Sequence, residues 1–490
     1  MKSGSNSGNK SVKTGSVIKF AIFSLVGLLL FLTPIPTEDA FNIPLGIAID
    51  WLGTFLAGNE VSFFGLFSFT PIWNFNVGTL LAYIFISVSF LGTLVAYIAK
   101  PGFIMNNPKL KSTFYTHPFY AVCRLVAFVL ATIVFLHSFP QTSVFYGTAL
   151  EENTIITTIT ASWLGGLMLN ELITGLVAIF LILAFVIPIL TDFGLMEFIG
   201  VLIKKVVRVL FTLPGRAAID LAASWFGSSA VSVIITRNQH EKGFYTAREA
   251  AAIAVNFSFV SLPFSFVVAR TMGIEQHFYI WYLIICITCI LLAMITPRIW
   301  PLKGLKDEYL EGVGKQIDED DTPGVSRLAK AMDMAGKRAE NSKASGIVSG
   351  GLKCYLDVFM DLLPMIMALG TIALIVEDRT PVFEWVSYPM AWMLDFLQVQ
   401  GGSAYASTTV VGFVDMFIPA LMLRGAYLET RFILGALSIV QIIYMAETGI
   451  LIIKSKMPLG FVKLLALFFI RTIIALPIIV WLTRIFMNFY

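Results

Sequence analysis

The sequence predicts an all-α polytopic membrane protein with about nine transmembrane helices, two re-entrant helical hairpins and an inverted structural repeat. Three observations support this prediction. The 490 residues are 57% hydrophobic and only 13% charged, whereas soluble domains average about 25% charged residues. Long apolar runs recur along the whole chain, and two of them are interrupted by small and polar residues. This composition excludes a water-soluble globular protein, and the net charge of +3 gives no indication of nucleic-acid binding.

The N-terminal stretch at 1–16 is rich in Gly, Ser and Lys and is predicted to be a disordered cytoplasmic tail. The apolar run after it resembles a signal peptide, but no clean cleavage site follows, so we interpret it as a retained first helix. Crossing a bilayer takes about 20 residues per helix. The runs that meet this length lie at about 18–35, 77–99, 119–137, 172–191, 248–269, 279–296, 355–376, 432–453 and 461–483.

Two further apolar stretches, 217–236 and 401–423, are broken near their middles and are predicted to be re-entrant hairpins. The distribution of cations supports this threading. With the N-terminus in the cytoplasm, most of the 34 Lys and Arg residues fall on the cytoplasmic side, as the positive-inside rule requires. A full crossing at either stretch would remove this bias. The cations left outside are Arg270, Arg379, Arg424, Arg431 and Arg484, and Arg471 lies within the last span.

The chain also matches itself weakly at a nearly constant offset, which brings Asn256 close to Gln441 and Gly227 close to Gly412. Each half is then predicted to contain, in this order, a span, an interfacial helix, a hairpin and two further spans. The two halves start on opposite sides of the membrane, which is typical of secondary transporters. The predicted units are a tail at 1–16, a three-helix scaffold at 17–171, a first repeat at 172–300, a cytoplasmic linker at 301–352 and a second repeat at 353–490.

The segment SIVQIIYMAETGILII at 438–453 sets four polar residues into an apolar run: Gln441, Tyr444, Glu447 and Thr448. On a continuous helix they share one face. A charged carboxylate facing lipid costs several kcal/mol, so this face is predicted to point into protein or water and to bind substrate or an ion. The alternative is a buried polar cluster that holds helices together.

The corresponding stretch of the first half, 246–269, contains Asn256, Ser258 and Ser261, followed by Pro263. Proline is expected to interrupt the helix after Leu262. We interpret these polar residues as substrate ligands, with interhelical hydrogen bonding as the alternative.

The turn of the first hairpin supplies Gly227, Ser228 and Ser229 as further candidate substrate ligands, because half-helix ends at membrane depth can bind ions or polar groups. In the second hairpin, Asp415 is predicted to act with Glu447 in binding a coupling ion, either a proton or sodium. The alternative is that Asp415 pairs with Arg424 at the outer surface.

No motif indicates an enzyme, since HExxH, GxSxG and the Walker A sequence are all absent. Cys286 and Cys289 form a CxxC pair inside an apolar run, which we interpret as packing rather than as a metal site. No cofactor is predicted. Arg471 is expected to neutralise an acid or a carbonyl of a neighbouring helix.

Five stretches carry a family resemblance: WFGSSAVSVIIT, YTAREAAAIAVNFSFVS, VDMFIPA, TRFILGALSIVQIIYMAETG and SKMPL. Together they resemble the YjiH-like family of bacterial membrane proteins with nucleoside-recognition (Gate) domains. The resemblance covers about residues 170–490. It implies a transporter-like core in which both repeats are Gate-like. It also implies substrate contacts at Gly227–Ser229, Asn256, Ser258, Gln441 and Glu447.

The sequence therefore predicts a secondary transporter of a small polar organic solute, with a nucleoside or nucleobase favoured. We expect coupling to protons or sodium, alternating access around the hairpins, and a multi-pass location in the bacterial cytoplasmic membrane with the N-terminus inside. A homo-oligomer formed through the N-terminal scaffold is one expectation. Two alternatives stay open: a non-transporting scaffold or accessory subunit of an envelope or sporulation-type complex, and a channel.

Overall fold

The fold is given by a computed structural model. It describes residues 14–33, 35–36, 41–42, 44–57, 61–63, 67–69, 77–137, 156, 159–161, 165–226, 229–310, 326–455 and 457–487.

The N-terminal part contains helices that pack against the rest of the chain and two small antiparallel ribbons. One ribbon pairs β1 (Ile35–Pro36) with β2 (Phe41–Asn42), and the other pairs β3 (Val61–Phe63) with β4 (Phe67–Phe69). The helices are α1 (Thr14–Leu32), α2 (Pro44–Ala57), α3 (Val77–Ile98), α4 (Gly102–Met105), α5 (Pro108–Phe114) and α6 (Pro118–His137). The sequence prediction missed α2, which has 14 residues and is too short to cross a bilayer.

The first half continues with a π-helical turn, a long helix and an amphipathic helix, followed by a helical hairpin and a helix in two pieces. Its elements are the π-turn Leu167–Ile173, α7 (Thr174–Thr191), α8 (Leu195–Phe211), α9 (Ala217–Phe226), α10 (Ser229–Glu241), α11 (Ala247–Asn256), α12 (Leu262–Thr271) and α13 (Phe278–Ile295). We call α9 and α10 the first hairpin.

The second half follows the charged helix α14 (Arg327–Asn341) and begins with a long helix, a π-helical turn and a shorter helix. The second hairpin comprises residues 402–425, which are built from short helices. The elements are α15 (Ala344–Met365), the π-turn Ile366–Gly370, α16 (Thr371–Arg379), α17 (Val382–Phe396), α18 (Thr408–Val411), α19 (Ile418–Met422), α20 (Leu428–Val440), the π-turn Met445–Gly449, α21 (Ile450–Lys454) and α22 (Phe461–Phe486).

The all-α membrane class is confirmed. Within the described ranges, 5 helices are long and apolar enough to cross a bilayer: Val77–Ile98, Pro118–His137, Met168–Val186, Glu275–Gly304 and Phe461–Phe486. Two of the predicted spans, 248–269 and 432–453, are each divided into separate helical pieces. The total of about nine spans, the re-entrant course of the hairpins and the inverted orientation of the halves stay predictions.

One hydrophobic core joins the N-terminal helices to both halves. Ser89 of α3 donates a hydrogen bond to the Met360 carbonyl of α15 (2.6 Å). The buried indole of Trp281 in α13 donates to the Phe432 carbonyl of α20 (3.0 Å). The two halves and the N-terminal helices therefore hold one another in place, and this contact network positions the helix ends described below.

The described part of the predicted linker contains α14, which docks on α1 and α8. Phe20, Ala335 and Ala339 form a small buried cluster there. Lys19 donates a hydrogen bond to the Ala339 carbonyl (2.9 Å). Gly194 precedes α8 with a φ of 100°, and a Cβ on it would lie 2.5 Å from the Ala335 carbonyl oxygen. Only glycine fits there, because both the backbone conformation and the contact exclude a side chain.

We therefore expect Gly194→Ala to destabilise the protein by roughly 1–3 kcal/mol, through left-handed strain and loss of the α14 contact. The measurement is the Tm of the purified protein in detergent. Gly175→Ala is the matched control, because a Cβ on Gly175 meets nothing within 4 Å. A Tm loss as large in the control as in the variant would contradict this explanation.

Candidate functional site

The first of two helix breaks separates α11 from α12. Helix α11 ends at Asn256, residues 257–261 have no regular structure, and α12 begins at Leu262. The prediction that Pro263 ends a helix is wrong, because Pro263 lies at the beginning of one. Pro263 lies in the first turn of α12, where its missing N–H removes no intrahelical hydrogen bond. The chain is therefore non-helical before the proline, at the serine-containing segment that we call the first break.

The second break comprises residues 441–444, between α20 and the π-turn that leads into α21. The expectation that Gln441, Tyr444, Glu447 and Thr448 share one face of a continuous helix is therefore wrong. Ile442 has a φ of 63°, which is strongly disfavoured for a β-branched residue.

Side chains supply the hydrogen bonds that the second break removes from the backbone. Thr448 Oγ1 donates to the Ile442 carbonyl (2.8 Å) and accepts from the Tyr444 N–H (3.1 Å). The Tyr444 hydroxyl lies 2.6 Å from the Ile439 carbonyl oxygen, near the last turn of α20. Tyr444 and Thr448 therefore stabilise the break itself.

Arg471 of α22 lies where the two breaks meet and is fully buried. Its Nε donates to the Gln441 carbonyl (3.1 Å), and one terminal nitrogen donates to the Val440 carbonyl (2.8 Å). The other terminal nitrogen donates to Asn256 Oδ1 (2.6 Å). The C-terminal ends of α11 and α20 thus converge on one guanidinium, and the negative ends of their dipoles favour its charge. The expectation that Arg471 bonds a carbonyl agrees with these contacts.

Asn256 is held by neighbours from three helices. Besides accepting from Arg471, its Oδ1 accepts from the Thr296 hydroxyl (2.6 Å), and its Nδ2 donates to the Ala252 carbonyl (2.9 Å). This is the interhelical bonding that the sequence left as an alternative to substrate binding. In this structure Asn256 links α11 to α22 and to the end of α13.

Gln441 makes the equivalent link to the second hairpin. Its Nε2 donates to the Thr409 carbonyl (2.8 Å) and to Thr472 Oγ1 (2.9 Å). A Cβ on Gly412 would clash with Gln441 Oε1, so glycine allows the Gln441 amide to approach this closely. The Met445 N–H also donates to the Phe413 carbonyl (2.8 Å). The second hairpin is therefore held against the second break by hydrogen bonds.

The first hairpin contacts the first break in the same way. Ser224 donates a hydrogen bond to the Phe259 carbonyl (2.5 Å). Ser229, at the start of α10, and Ser261, just before α12, are buried. The predicted ligands Gly227 and Ser228 lie outside the described residues. Each hairpin thus bonds the break of its own half.

Two buried polar atoms at the breaks have no hydrogen-bond partner within the described part of the chain: Ser258 Oγ and Gln441 Oε1. Their residues are 0% exposed. Burying an unpaired polar group costs about 1–3 kcal/mol, so such atoms call for an explanation. A polar ligand that bonds them in another conformation would supply one.

The predicted ion-binding acids are described only in part. Asp415 is buried, and its Oδ1 accepts from the Phe417 N–H (2.7 Å). The side chain of Glu447 lies outside the described residues. Pairing of Asp415 with Arg424 stays a prediction. The structure adds Asp220, a fully buried acid that accepts from Thr236 (2.9 Å) across the first hairpin. The sequence signal for it was an aspartate among the small residues of AAIDLAASW.

A cavity of about 10 Å³ lies beside the first break. Aromatic rings from three elements line it: Trp225, Phe259 and Tyr282. The centroids of the Trp225 and Phe259 rings are 5.9 Å apart. Cys286 and Cys289 also line it, and no group of metal-ligating side chains is found among the described residues. The breaks thus combine planar apolar surfaces with polar groups of the amide and hydroxyl type.

The class of the protein follows from these features and one sequence match. Residues 173–275 match the family Gate, which is described as nucleoside recognition, and this region runs from the first π-turn through the first break. A multi-pass helical membrane protein with a Gate domain and paired helix breaks belongs to the transporter class rather than to the enzymes.

A bacterial relative extends the comparison to nearly the whole chain. Uncharacterized protein BpOF4_10220 of Alkalihalophilus pseudofirmus is 39% identical over 479 residues, which cover 97% of this chain and 96% of the relative. The chain therefore belongs to the same family as BpOF4_10220, and its own residues 173–275 carry the Gate match. The predicted Gate resemblance is confirmed, and the narrower YjiH-like assignment stays a prediction.

Two solved structures show more distant likeness. A CNTnw variant in an outward-facing state is 13% identical, with 96% of this chain and 100% of that chain covered and a TM-score of 0.39. The Alcanivorax borkumensis YdaH transporter is 12% identical, with 97% and 98% covered and a TM-score of 0.24. Likeness at these scores does not define a common fold.

We expect Arg471→Met to destabilise the protein by roughly 3 kcal/mol or more, because it leaves several buried acceptors unpaired. Arg471→Lys should recover only part of this loss, since one ammonium cannot replace a planar fork of donors. The measurement is Tm in detergent. Lys463→Met is the control on the same helix, because Lys463 is half-buried and donates to one carbonyl, that of Pro458 (3.2 Å). Equal losses in the two methionine variants would contradict the role of Arg471.

Proposed function

We propose that the protein is a secondary active transporter of a small polar organic solute, which binds between the two helix breaks. The observation that carries this proposal is the meeting of the breaks at Arg471, with two buried atoms at the breaks, Ser258 Oγ and Gln441 Oε1, that bond no described atom. Irregular backbone inside a membrane is tolerated where it is buried in protein or lines a cavity. Transporter substrate sites form at such discontinuous helices.

The chemistry of the breaks favours a nucleoside or a nucleobase as the substrate. Trp225, Phe259 and Tyr282 supply flat faces on which a heteroaromatic ring can stack. Ser258 and Gln441 supply a donor and an acceptor for the polar edge of such a ring. The description of the matched family, nucleoside recognition, supports the same substrate class.

In this structure the cavity beside the first break is too small for a nucleobase, so substrate binding requires opening. Opening would break the hydrogen bonds that join each hairpin to its break. These run from Ser224 to Phe259, from Gln441 to Thr409 and from Met445 to Phe413. Movement of the hairpins relative to α22 would open the site to one side of the membrane and then to the other. The strained Ile442 backbone supports this proposal, because strain is stored at elements that change conformation.

The proposal includes coupling to a proton or sodium gradient through Glu447 and Asp415. It places the protein in the bacterial cytoplasmic membrane with the N-terminus inside. Asp415 is buried in the second hairpin, close in sequence to Gly412, which touches Gln441. A cation bound at Asp415 would change the charge of the second hairpin. Because this hairpin contacts the second break through Gly412 and Gln441, the change in charge would affect the break as well. Homo-oligomerisation stays a separate expectation.

The substrate site is tested by uptake of radiolabelled nucleosides and nucleobases into proteoliposomes. Ser258→Ala should raise the KM roughly 3- to 10-fold, as expected for one lost neutral hydrogen bond. It should leave Tm unchanged or higher, because the hydroxyl bonds no atom in the described part of the chain. Ser24→Ala is the matched control, since Ser24 is buried in α1 and its hydroxyl is likewise without a partner among described atoms.

An unchanged KM in Ser258→Ala would place the substrate elsewhere. No uptake of any nucleoside or nucleobase, with a folded protein, would favour the scaffold alternative. Uptake that never saturates would favour a channel.

Gradient coupling is tested at Glu447. Glu447→Gln should abolish accumulation driven by a proton or sodium gradient while retaining solute exchange at equilibrium, because the amide cannot gain or lose the charge. Glu384→Gln on the exposed face of α17 is the control. Full gradient-driven accumulation in Glu447→Gln would rule out this acid as the coupling site.

A further inference from the structure

Both arms of the first hairpin carry buried polar side chains. On α9, Asp220 and Ser224 are four residues apart. On α10, the same spacing relates Ser232, Thr236 and His240. Residues four apart lie on one face of a helix. All five are 0% or 1% exposed. Because Thr236 Oγ1 donates to Asp220 Oδ2 (2.9 Å), the two polar faces meet between the arms. We call these five residues the polar seam.

The polar seam contains more polar atoms than hydrogen bonds to satisfy them. Ser224 uses its hydroxyl on the Phe259 carbonyl (2.5 Å). Asp220 Oδ1 and Ser232 Oγ have no hydrogen bond of regular geometry with any described atom. Leaving buried polar atoms unpaired costs free energy, so their presence in a folded protein calls for an explanation. A proton on the carboxyl group supplies one, because it turns an oxygen that can only accept into a donor.

Two titratable groups act on the Asp220 carboxyl group, those of Arg216 and Tyr245. Arg216 lies four residues earlier, and its guanidinium carbon is 3.9 Å from the centroid of the Phe244 ring. Tyr245 interacts with the carboxyl group through its hydroxyl. The Tyr245 backbone carbonyl oxygen lies 3.0 Å from His240 Nδ1. Asp220 is therefore close to one cation and to a phenolic hydroxyl that can donate or accept.

The other helices packed closely against α9 are α7, α8 and α12. Helix α7 has no charged residue. On α12, Arg270 donates to the Gly46 carbonyl (3.3 Å). A Cβ on Gly215, which precedes α9, would lie 2.6 Å from Arg208 Nε, so this cation of α8 approaches the base of the hairpin. The charged residues of α8 are Glu197, Lys204, Lys205 and Arg208.

The second arm, α10, packs against α11, α21 and the π-turn Met445–Gly449. Glu249 accepts from the Thr246 N–H (2.8 Å) and so caps α11. On α10 itself, Arg237 and Glu241 form an ion pair (3.1 Å) at the surface. The seam is therefore enclosed on this side by groups that bond elsewhere. The charged residues of the three neighbouring elements are Arg248, Glu249, Glu447 and Lys454.

A fully buried carboxyl group is stable as a neutral acid, or as a carboxylate with a cation beside it. The first hairpin offers both arrangements to Asp220, because one carboxyl oxygen is unbonded and Arg216 supplies a positive charge. We propose that Asp220 is a proton-binding site enclosed between the arms of the first hairpin. One carboxylate oxygen forms an O–H bond with a proton taken from water, and no other covalent bond changes. The neutral acid stabilises the packed arms, and loss of the proton leaves a buried charge that favours their rearrangement.

The consequence for transport rests on the proposed function. Helix α9 bonds the first break through Ser224, and α10 packs against the π-turn that contains Glu447. A proton on Asp220 therefore changes the free energy of moving the first hairpin relative to both breaks. Acidic residues inside membrane proteins serve as proton sites in pumps and transporters. The proton is thus a coupling ion of the first hairpin.

Protonation of Asp220 is tested by infrared difference spectroscopy of the full-length protein in nonionic detergent, recorded as a function of pH. Exposed carboxyl groups have lost their protons above about pH 5, so a carboxylic C=O band that remains above this pH comes from enclosed acids. We expect the wild type to show such a band, and Asp220→Asn to lose the part of it that equals one carboxyl group. Glu384→Gln on the exposed face of α17 is the control and should keep the whole band. Equal bands in Asp220→Asn and the wild type overturn the proposal.

If Asp220→Asn does not fold, Thr236→Val replaces it, because valine has the shape of threonine but no hydroxyl to donate. Loss of this hydrogen bond should move the Asp220 band to higher frequency. A band that does not move overturns the proposal.

Uptake into proteoliposomes separates this inference from the proposed function. Asp220→Asn should lose proton-driven accumulation and retain exchange at equilibrium, because the amide cannot gain or lose a proton in this range. Full proton-driven accumulation in Asp220→Asn overturns the role of Asp220 in coupling. An Asp220 band in a wild type that transports no solute supports the proton site and contradicts the proposed function. Transport by a wild type that lacks this band contradicts the proton site alone.

Discussion

The structure depends on burying one guanidinium, that of Arg471, in the middle of a membrane protein. Removing a cation from water costs several kcal/mol, and this cost is offset only where enough acceptors surround the charge. Backbone carbonyls inside a continuous α-helix are already bonded, but the last carbonyls of a helix are not. Arg471 therefore requires α20 to end near it, and it bonds the Val440 and Gln441 carbonyls where α20 ends. The buried cation needs the free carbonyls at the helix break, and those carbonyls need a donor, which the cation provides.

The same constraint couples the two halves of the chain. Asn256 closes α11 and gives Arg471 a side-chain oxygen, while α20 gives it backbone oxygens. A shift of either helix end would leave the cation short of acceptors, so the two breaks are held in one relative position. Each hairpin is joined to this centre through the break of its own half. The first hairpin bonds its break through Ser224 and Phe259, and the second bonds its break through Gln441 with Thr409 and Met445 with Phe413.

The sequence predicted the membrane class, the matched positions of Asn256 and Gln441, and an interrupted helix near Pro263 in the first half. It could do so because polar residues inside apolar runs and a weak internal repeat are local signals. It misplaced the first break by a few residues, because Pro263 was taken to end a helix that it begins. It missed the second break, because the polar residues of 438–453 were placed on one continuous helix. The partners of Arg471 were not predictable, because they come from the ends of two helices, α11 and α20, that lie far apart in the chain. Asp220 was passed over for the same reason, since its partner Thr236 lies on the other arm of the first hairpin.

The first hairpin is held together internally as well as at its contact with the first break. Ser224 of α9 donates to the Phe259 carbonyl of the first break. Thr236 of α10 donates to Asp220 of α9 in surroundings that exclude water, so the two arms are joined by a buried hydrogen bond. A hydrogen bond in such surroundings is stronger than one at the surface, and the two arms therefore form one unit. A displacement of α10 is consequently transmitted to α9, and through Ser224 to the backbone of the first break.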